Sequence, residues 1–210
     1  FVGAEFMGMK IKYVSNDIYN QTNTSYSLYL GMKEVDAKEG ILILEGDVFF
    51  ERGLLEEFLK NNYPNLTIVQ KYNPNLDGSF VDLEGNKVID WIHKARRWSD
   101  FTIEDKFKTV NIHKFNKNFL DNYLKPALAR HIEESNGTEP LEYIMQDIVK
   151  NTNAKIEAVE VGNNKWVEID DAKDLEMAEK RFGKKLSLDE IRSFHGGYWR
   201  YDHIDFHYLF

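Results

Sequence analysis

Apolar positions change period several times along the chain, and each change marks an element. From Met9 to Val14 apolar and polar residues alternate, the two-residue period of a strand. In "TSYSLYLGMKEV" the apolar residues Tyr26, Leu28, Leu30 and Met32, with Ser25 and Ser27 near the start, predict a helix from about Thr24 to Val35, with Gly40 opening the next strand. Four consecutive aliphatics, Ile41 to Leu44, do not alternate. They suit a strand covered on both faces, predicted over 41–46. A helix over 53–60 follows in "FERGLLEEFLK", then a strand over 66–71 after the turn "NNYPN". The order β-α-β-α-β predicts a parallel or mostly parallel sheet.

The second half is less regular. "NPNLDGSF" reads as a turn, and "FVDLEGNKVIDWI" as a hairpin bent at "EGN". A strand is predicted over 107–115 and helices over 116–134 and 139–151, the second amphipathic through Leu141, Ile144, Met145 and Ile148. "KIEAVEVG" is a late strand, and "DAKDLEMAEKRFG" a closing helix that Gly183 would end. There is no internal repeat and no low-complexity segment.

One residue breaks the hydrophobic logic. "GILILEGDVFF" runs a buried strand straight into Asp47, at the carboxyl edge where open α/β sheets bind ligands. A carboxylate there can hold a divalent cation against phosphates. The alternative is a helix cap, weakened because Phe49, Phe50 and Glu51 separate Asp47 from the helix start near Gly53.

Composition narrows the field. At 210 residues and 42% apolar, the chain can bury one sizeable core. A net charge of -8 argues against a general binder of nucleic acid or of an anionic membrane surface, and no apolar run is long enough to span a membrane. Without cysteine, disulfides, thiolate catalysis and zinc-thiolate sites are excluded, and a cytoplasmic setting fits. The first residue is Phe1 and the chain stops at "DFHYLF", so a piece of a longer protein is expected.

Three ordered stretches, "NDIYNQTNTSYSLYLG", "LILEGDVFF" and "WVEIDDAKDLEMAEKRF", resemble the nucleotidyltransferases of the sugar-phosphate and phosphocholine cytidylyltransferase type, over about 1–183. The resemblance implies a Rossmann-like, GT-A-like α/β fold, a mixed sheet flanked by helices. It places Thr22, Asn23 and Thr24 beside the nucleobase and makes Asp47 and Asp170 the catalytic carboxylates that hold Mg2+ on the nucleotide phosphates. Asp171 competes with Asp170, since either could instead cap the helix that follows. The chemistry agrees: two polyanions must meet, and magnesium bridges phosphate oxygens while needing only one or two protein carboxylates.

One departure stands out. The family's first strand, its glycine-rich loop carrying an Arg, and its Pro-Lys segment have no match here. The expectation is therefore a nucleotidyltransferase domain over 1–185 that lacks the first strand and phosphate loop, then a linker over 186–210 leading to a missing C-terminal domain. That tail resembles the segment joining a cytidylyltransferase to a pyridoxal-phosphate aminotransferase-like domain, with Tyr198, Trp199, Tyr201, Phe206 and Tyr208 packing on the partner.

The acceptor is sought in "DWIHKARRWSDFTIEDKFKT". Trp91, Lys94, Arg96, Arg97, Trp98 and Lys106 could hold an anion near an aromatic wall, or form a solvated turn beside core tryptophans. Glu139 and Glu142 could neutralise an amine or start a helix. His93, His113 and His131 stand alone, and His195, His203 and His207 lack a metal motif. The expected reaction transfers CMP from CTP to phosphocholine, phosphoethanolamine, phosphoserine or aminoethylphosphonate, releasing pyrophosphate. A sugar-1-phosphate acceptor and a non-catalytic nucleotide-binding domain are the alternatives.

Overall fold

The computed structural model describes residues 3–183 and the backbone of a short antiparallel strand pair, Trp199–Arg200 with His203–Ile204. The rest of the predicted linker, including His195, His207, Tyr198, Tyr201, Phe206 and Tyr208, lies outside the described residues.

The chain opens with β1 (Glu5–Phe6) and β2 (Met9–Lys10), a hairpin turned by Met7 and Gly8, both at positive φ. The predicted strand Met9 to Val14 is thus cut to two residues. Its pairing is local and Met9 is 61% exposed, so the alternation meets no sheet to bury it. α1 (Thr24–Glu34) agrees with the sequence to one residue, and Asn23 caps it by accepting from the Thr24 amide at 2.8 Å.

β3 (Gly40–Leu44), β5 (Leu66–Lys71), the hairpin β6 (Phe80–Glu84) and β7 (Lys87–Ile92), β8 (Phe107–Asn116) and β9 (Glu157–Glu160) form one sheet in the order β3-β8-β5-β9-β7-β6. The sheet is mixed. β3 and β5 do run the same way, but β8 lies between them and pairs antiparallel to both, and β5–β9 is a parallel pair. The β-α-β-α order alone could not show that a strand from much later would enter the gap.

Both faces are covered, which is why β3 reads as an unbroken aliphatic run from Ile41 to Leu44. On one face Ile43, Val69 and Phe115 pack with Leu28 of α1 and with α4 (Lys125–Ser135) and α5 (Leu141–Asn151). On the other, Leu66, Ile68, Val110 and Ile112 pack with Leu54 and Phe58 of α2 (Arg52–Lys60). The predicted helix over 116–134 begins as a short turn, α3 (Lys117–Phe119), and passes through a π turn at Leu120–Leu124 before α4. Pro126, in the first turn of α4, has no N–H to continue the α ladder, and the wider π turn precedes it.

Two of the strands that the sequence did not disclose bear on the site. β4 (Val48–Phe50) and β10 (Trp166–Glu168) form a separate antiparallel pair over the α2 face. Three residues are too few to display a period. α6 (Ala172–Phe182) closes the described fold, and Gly183 ends it in the left-handed conformation, as expected.

Gly40 starts β3 at φ +133°, and a Cβ there would lie 2.4 Å from the Phe115 carbonyl oxygen. Gly40→Ala should therefore cost roughly 2–3 kcal/mol in denaturant unfolding. A change below about 0.5 kcal/mol would show that β3 and β8 can part easily.

Candidate active site

The site begins where β3 ends. After Leu44 the chain turns through Glu45 and Gly46 to Asp47, and the Val48 amide donates to the Glu45 carbonyl at 3.4 Å. β4 then pairs with β10, setting Val48 opposite Glu168, and the Ile169 amide extends the ladder to the Asp47 carbonyl at 2.9 Å. That ladder brings Asp47 beside Glu168. Ile169 goes into the core, while Trp166, Val167, Glu168 and Asp170 line a cavity.

Glu45, Asp47 and Glu168 each offer a carboxylate oxygen, all within 4.8 Å of one another. Lys108, 2% exposed, puts its Nζ 3.0 Å from Glu168 Oε2 and donates to the Thr109 carbonyl at 2.7 Å. Asn111 donates to Glu45 Oε2 at 2.7 Å and to Glu168 Oε1 at 2.9 Å. Buried Asp47 Oδ1 has no hydrogen-bond partner among the described residues. Burial and the like charge of its neighbours, Asp47 first, push the Glu45 carboxyl well above its usual range. Burial, then Glu168, pushes Asp47 up to about 7.

These residues fit a divalent cation. The donors are all oxygens, three carboxyl groups share one ammonium, Lys108, and one buried oxygen lacks a partner. A cation would be held by Glu45, Asp47 and Glu168.

The cavity in front of the cluster measures about 900 Å³. Asn23 and Thr24 line it, both fixed by the backbone: Asn23 caps α1, and Thr24 Oγ1 accepts from the Leu141 amide at 2.9 Å. Thr22 is not in the cavity wall; its hydroxyl donates to the Ile18 carbonyl at 3.0 Å. The structure also separates the two late aspartates. Asp171 caps α6 in a capping box with Asp174, while Asp170 lines the cavity and bears electrostatically on Asp47.

Of the predicted acceptor residues, Lys94 and Glu142 line the cavity, Glu142 accepting from Ser79 Oγ at 2.8 Å. The others, Glu139 among them, do not. Trp91, read as an aromatic wall, is 1% exposed in the sheet core against His113, because β7 places it on the face covered by α5. Trp98 is 48% exposed and packs edge-on against Phe101. Arg96 stacks 3.4 Å from the Tyr143 ring centre and donates to Gln146. Arg97, read as a phosphate ligand, donates to the Gly78 carbonyl at 2.6 Å and to Asp77 at 3.2 Å, bracing the loop that forms part of the cavity wall. Lys106 pairs with Asp82 and Asp105, away from the cavity wall.

Glu45, Lys108, Asn111 and Glu168 were missed. A signal existed for two of them: Glu45 and Glu168 each precede a flagged aspartate by two residues, the spacing that puts side chains on one face of an extended segment. Lys108 and Asn111 sit in a strand where polar and apolar residues are mixed throughout, and gave none. The described histidines serve the fold. His113 is buried against Thr67, its pKa lowered to about 3 by burial; His131 bonds Glu139; His93 accepts from the Ala95 amide, though it also borders the cavity.

The folded chain keeps a proton on Asp47 that the unfolded chain releases near 3.8, so this group's contribution to stability falls as pH rises from there through about 7 and is level above. A bound cation favours the ionised form and reverses that loss. In chelator, the melting temperature should decline across this window, with a shallower decline in Asp47→Asn. Magnesium should raise it more at pH 8 than at pH 5. Equal magnesium shifts at both pH values, unchanged in Asp47→Asn, would remove the cluster as a cation site.

Comparisons with known proteins agree on the architecture. The chain is 29% identical over 205 residues to the CMP-5'-(3-aminopropyl)phosphonate synthase of Streptomyces rubellomurinus (strain ATCC 31215), a match that takes in 97% of this chain and 32% of that protein. The chain thus spans about a third of that relative's length. Among solved structures, the CTP:phosphocholine cytidylyltransferase of Streptococcus pneumoniae aligns at TM-score 0.57 and 15% identity, over 80% of this chain and 67% of the other. The inositol-1-phosphate CTP transferase of T. maritima aligns at TM-score 0.56 and 20% identity, over 81% of this chain and 62% of the other. At such identities the likeness gives the fold, the Rossmann-like GT-A type of the nucleotidyltransferases. A family model described as "Domain of unknown function (DUF6564)" matches residues 3–182, and the chain belongs to that family.

Proposed function

We propose that the chain is the nucleotidyltransferase part of a magnesium-dependent cytidylyltransferase, which moves CMP from CTP onto a small amine-bearing phosphonate or phosphorylated amino-alcohol. The half-buried carboxylate cluster carries the reading: Glu45 and Glu168 line the cavity, and Asp47, which is not in its wall, lies within reach of both. The relative that makes a CMP-phosphonate supports the choice of CMP and of a phosphonate over phosphocholine, phosphoethanolamine or phosphoserine.

In this reaction an acceptor phosphonate oxygen attacks the α-phosphorus of CTP. The bond to the bridging oxygen of the β-phosphate breaks and pyrophosphate leaves. Magnesium, when bound by Glu45, Asp47 and Glu168, would neutralise phosphate charge that otherwise opposes the attack. The chain's own residues position the reactants. Asn23 and Thr24 present a rigid edge for the nucleoside, since their side chains are tied to backbone amides. Lys94 faces the acceptor's anion, and Glu142, oriented by Ser79, faces its ammonium. Asp170, at the cavity wall beside Asp47, adds a further carboxylate to the phosphate side.

A second reading has its own observation. Gln70, Asn73 and Asn75 also line the cavity, neutral groups of the kind a sugar ring's hydroxyls need, which favours a sugar-1-phosphate acceptor. The relative's remaining length leaves room for the aminotransferase-like domain that the tail's resemblance implies, so the assay belongs to the full-length protein.

There, a panel of amine-bearing phosphonates, phosphorylated amines and sugar-1-phosphates, run with four nucleoside triphosphates, should give most pyrophosphate release with CTP and an aminoalkylphosphonate. A hexose-1-phosphate as best acceptor would favour the second reading. No release from any pair, with bound nucleotide detected, would mark a binding domain.

Two substitutions refine the assignment. Asp47→Asn should lower kcat at least about a hundredfold, about 2.7 kcal/mol of barrier, without unfolding the chain. Lys94→Ala should raise the acceptor KM by roughly 10–100-fold, the loss of one charge-assisted bond, with little change in the KM for CTP. If Lys94→Ala moves neither constant, the anion site lies elsewhere in the cavity.

A further inference from the structure

Asn111 occupies a position that the sheet itself would not produce. Along the β5–β8 ladder, Thr67 pairs with His113 and Val69 with Thr109, so β8 takes four steps where β5 takes two. The surplus forms a bulge centred on Asn111, which sits at φ +60°. Asparagine tolerates that left-handed conformation better than most residues.

The bulge turns the Asn111 side chain toward the carboxylates, and both ends of its amide and its backbone carbonyl are bonded. Its backbone carbonyl accepts from the Glu45 amide at 3.2 Å. Its Nδ2 donates one hydrogen to Glu45 at 2.7 Å and the other to Glu168 at 2.9 Å. Its Oδ1 accepts from Thr109 Oγ1 at 2.8 Å. An ionised carboxylate only accepts, so the amide has to present nitrogen to Glu168, and the Thr109 hydroxyl holds the oxygen end away. Thr109 is anchored in turn, its amide donating to the Ser79 carbonyl at 3.1 Å.

Glu45 follows β3 and Glu168 ends β10, two strands that do not pair with each other. Without a bridge, mutual repulsion would drive these carboxylates apart, and Lys108 would hold Glu168 alone. We infer that Asn111 is a positioning residue: its amide sets the spacing of Glu45 and Glu168 so that, with Asp47, they take a single divalent cation. The inference rests on the metal reading given above and adds the group that builds the site.

Asn111→Gly tests it cleanly, because glycine keeps the left-handed backbone while deleting the amide. Mn2+ binding to the 210-residue chain can be followed by the loss of the free-ion paramagnetic resonance signal, with Asp47→Asn as the reference for a lost ligand. The wild-type chain should take up one Mn2+. Asn111→Gly should bind it roughly 10–100-fold more weakly, the range typical of residues that orient metal ligands, with its melting temperature in chelator held to within a few degrees. Thr109→Val, which frees the amide to turn, should weaken binding in the same direction but less. Wild-type Mn2+ affinity in Asn111→Gly, with binding lost in Asp47→Asn, would overturn the positioning role and leave the metal reading intact. If Asn111→Gly does not fold, wild-type affinity in Thr109→Val overturns it instead. A wild-type chain that takes up no Mn2+ would sink both together.

Discussion

Everything distinctive about this fold follows from holding three carboxylates together at the edge of a core. Glu45, Asp47 and Glu168 repel one another, and burial strengthens the repulsion by removing the water that would screen it. Such an arrangement is unfavourable on its own and persists only where surrounding structure enforces it. Here three devices do so: the Asp47–Ile169 backbone bond, the Lys108 ammonium and the Asn111 amide. The first comes from the junction of β4 and β10, and the other two from β8. The cluster is therefore a property of the tertiary fold, and a change in β4–β10 pairing would disperse it as surely as loss of a ligand.

The mixed sheet is the means. A purely parallel arrangement of β3 beside β5 would leave no strand between them to carry Lys108 and Asn111. Inserting β8 antiparallel to both places its bulge level with the end of β3, so that Asn111 meets Glu45 through backbone and side chain together. β4 and β10 stand outside the main sheet, and that separation lets Glu168 approach from the α2 side while Asn111 approaches from β8. Lys108 lies against Trp166, the ammonium 5.8 Å from the ring centre, so the aromatic residue of β10 shields the same cation that pairs with Glu168.

What the sequence disclosed follows from how local each signal is. α1, α2, β5, β6, β7 and α6 were legible to within a residue or two, because period, cap and turn residues lie within a few positions of one another. Asp47 was legible as a charge ending an apolar run. The strand pair β4–β10 was not, since its partners are distant in the chain and too short for a period. Trp91 shows a different limit. An aromatic beside Lys94, Arg96 and Arg97 looks like a binding wall in one dimension, but the strand's alternation turns it into the core while Lys94 lies beyond the strand's end. Position in the chain pointed to Asp47 but not to Glu45 or Glu168, and it misled for the arginines, whose long side chains reach whichever neighbour the fold supplies.

The fate of those arginines bears on how the cavity treats an anion. Arg96 and Arg97 are spent on Tyr143, Gln146, Gly78 and Asp77, leaving Lys94, Lys108 and Arg181 as the basic residues of the wall, with Lys108 already committed to Glu168. Against them stand Glu45, Asp77, Glu142, Glu168, Asp170 and Asp174. A nucleoside triphosphate approaching such a wall, on a chain of net charge -8, meets repulsion at every range. On the proposed reading, nucleotide and cation therefore enter as one unit: the cation converts the carboxylate cluster from a barrier into a seat, and the nucleotide supplies the oxygen ligands that three carboxylates leave open. An ammonium-bearing acceptor suits the remainder of the wall for the same reason, since its positive end meets uncompensated carboxylates that a neutral sugar would leave as they are. The acidity that makes the cavity hostile to a bare phosphate is thus what would make it selective for one carried on an amine.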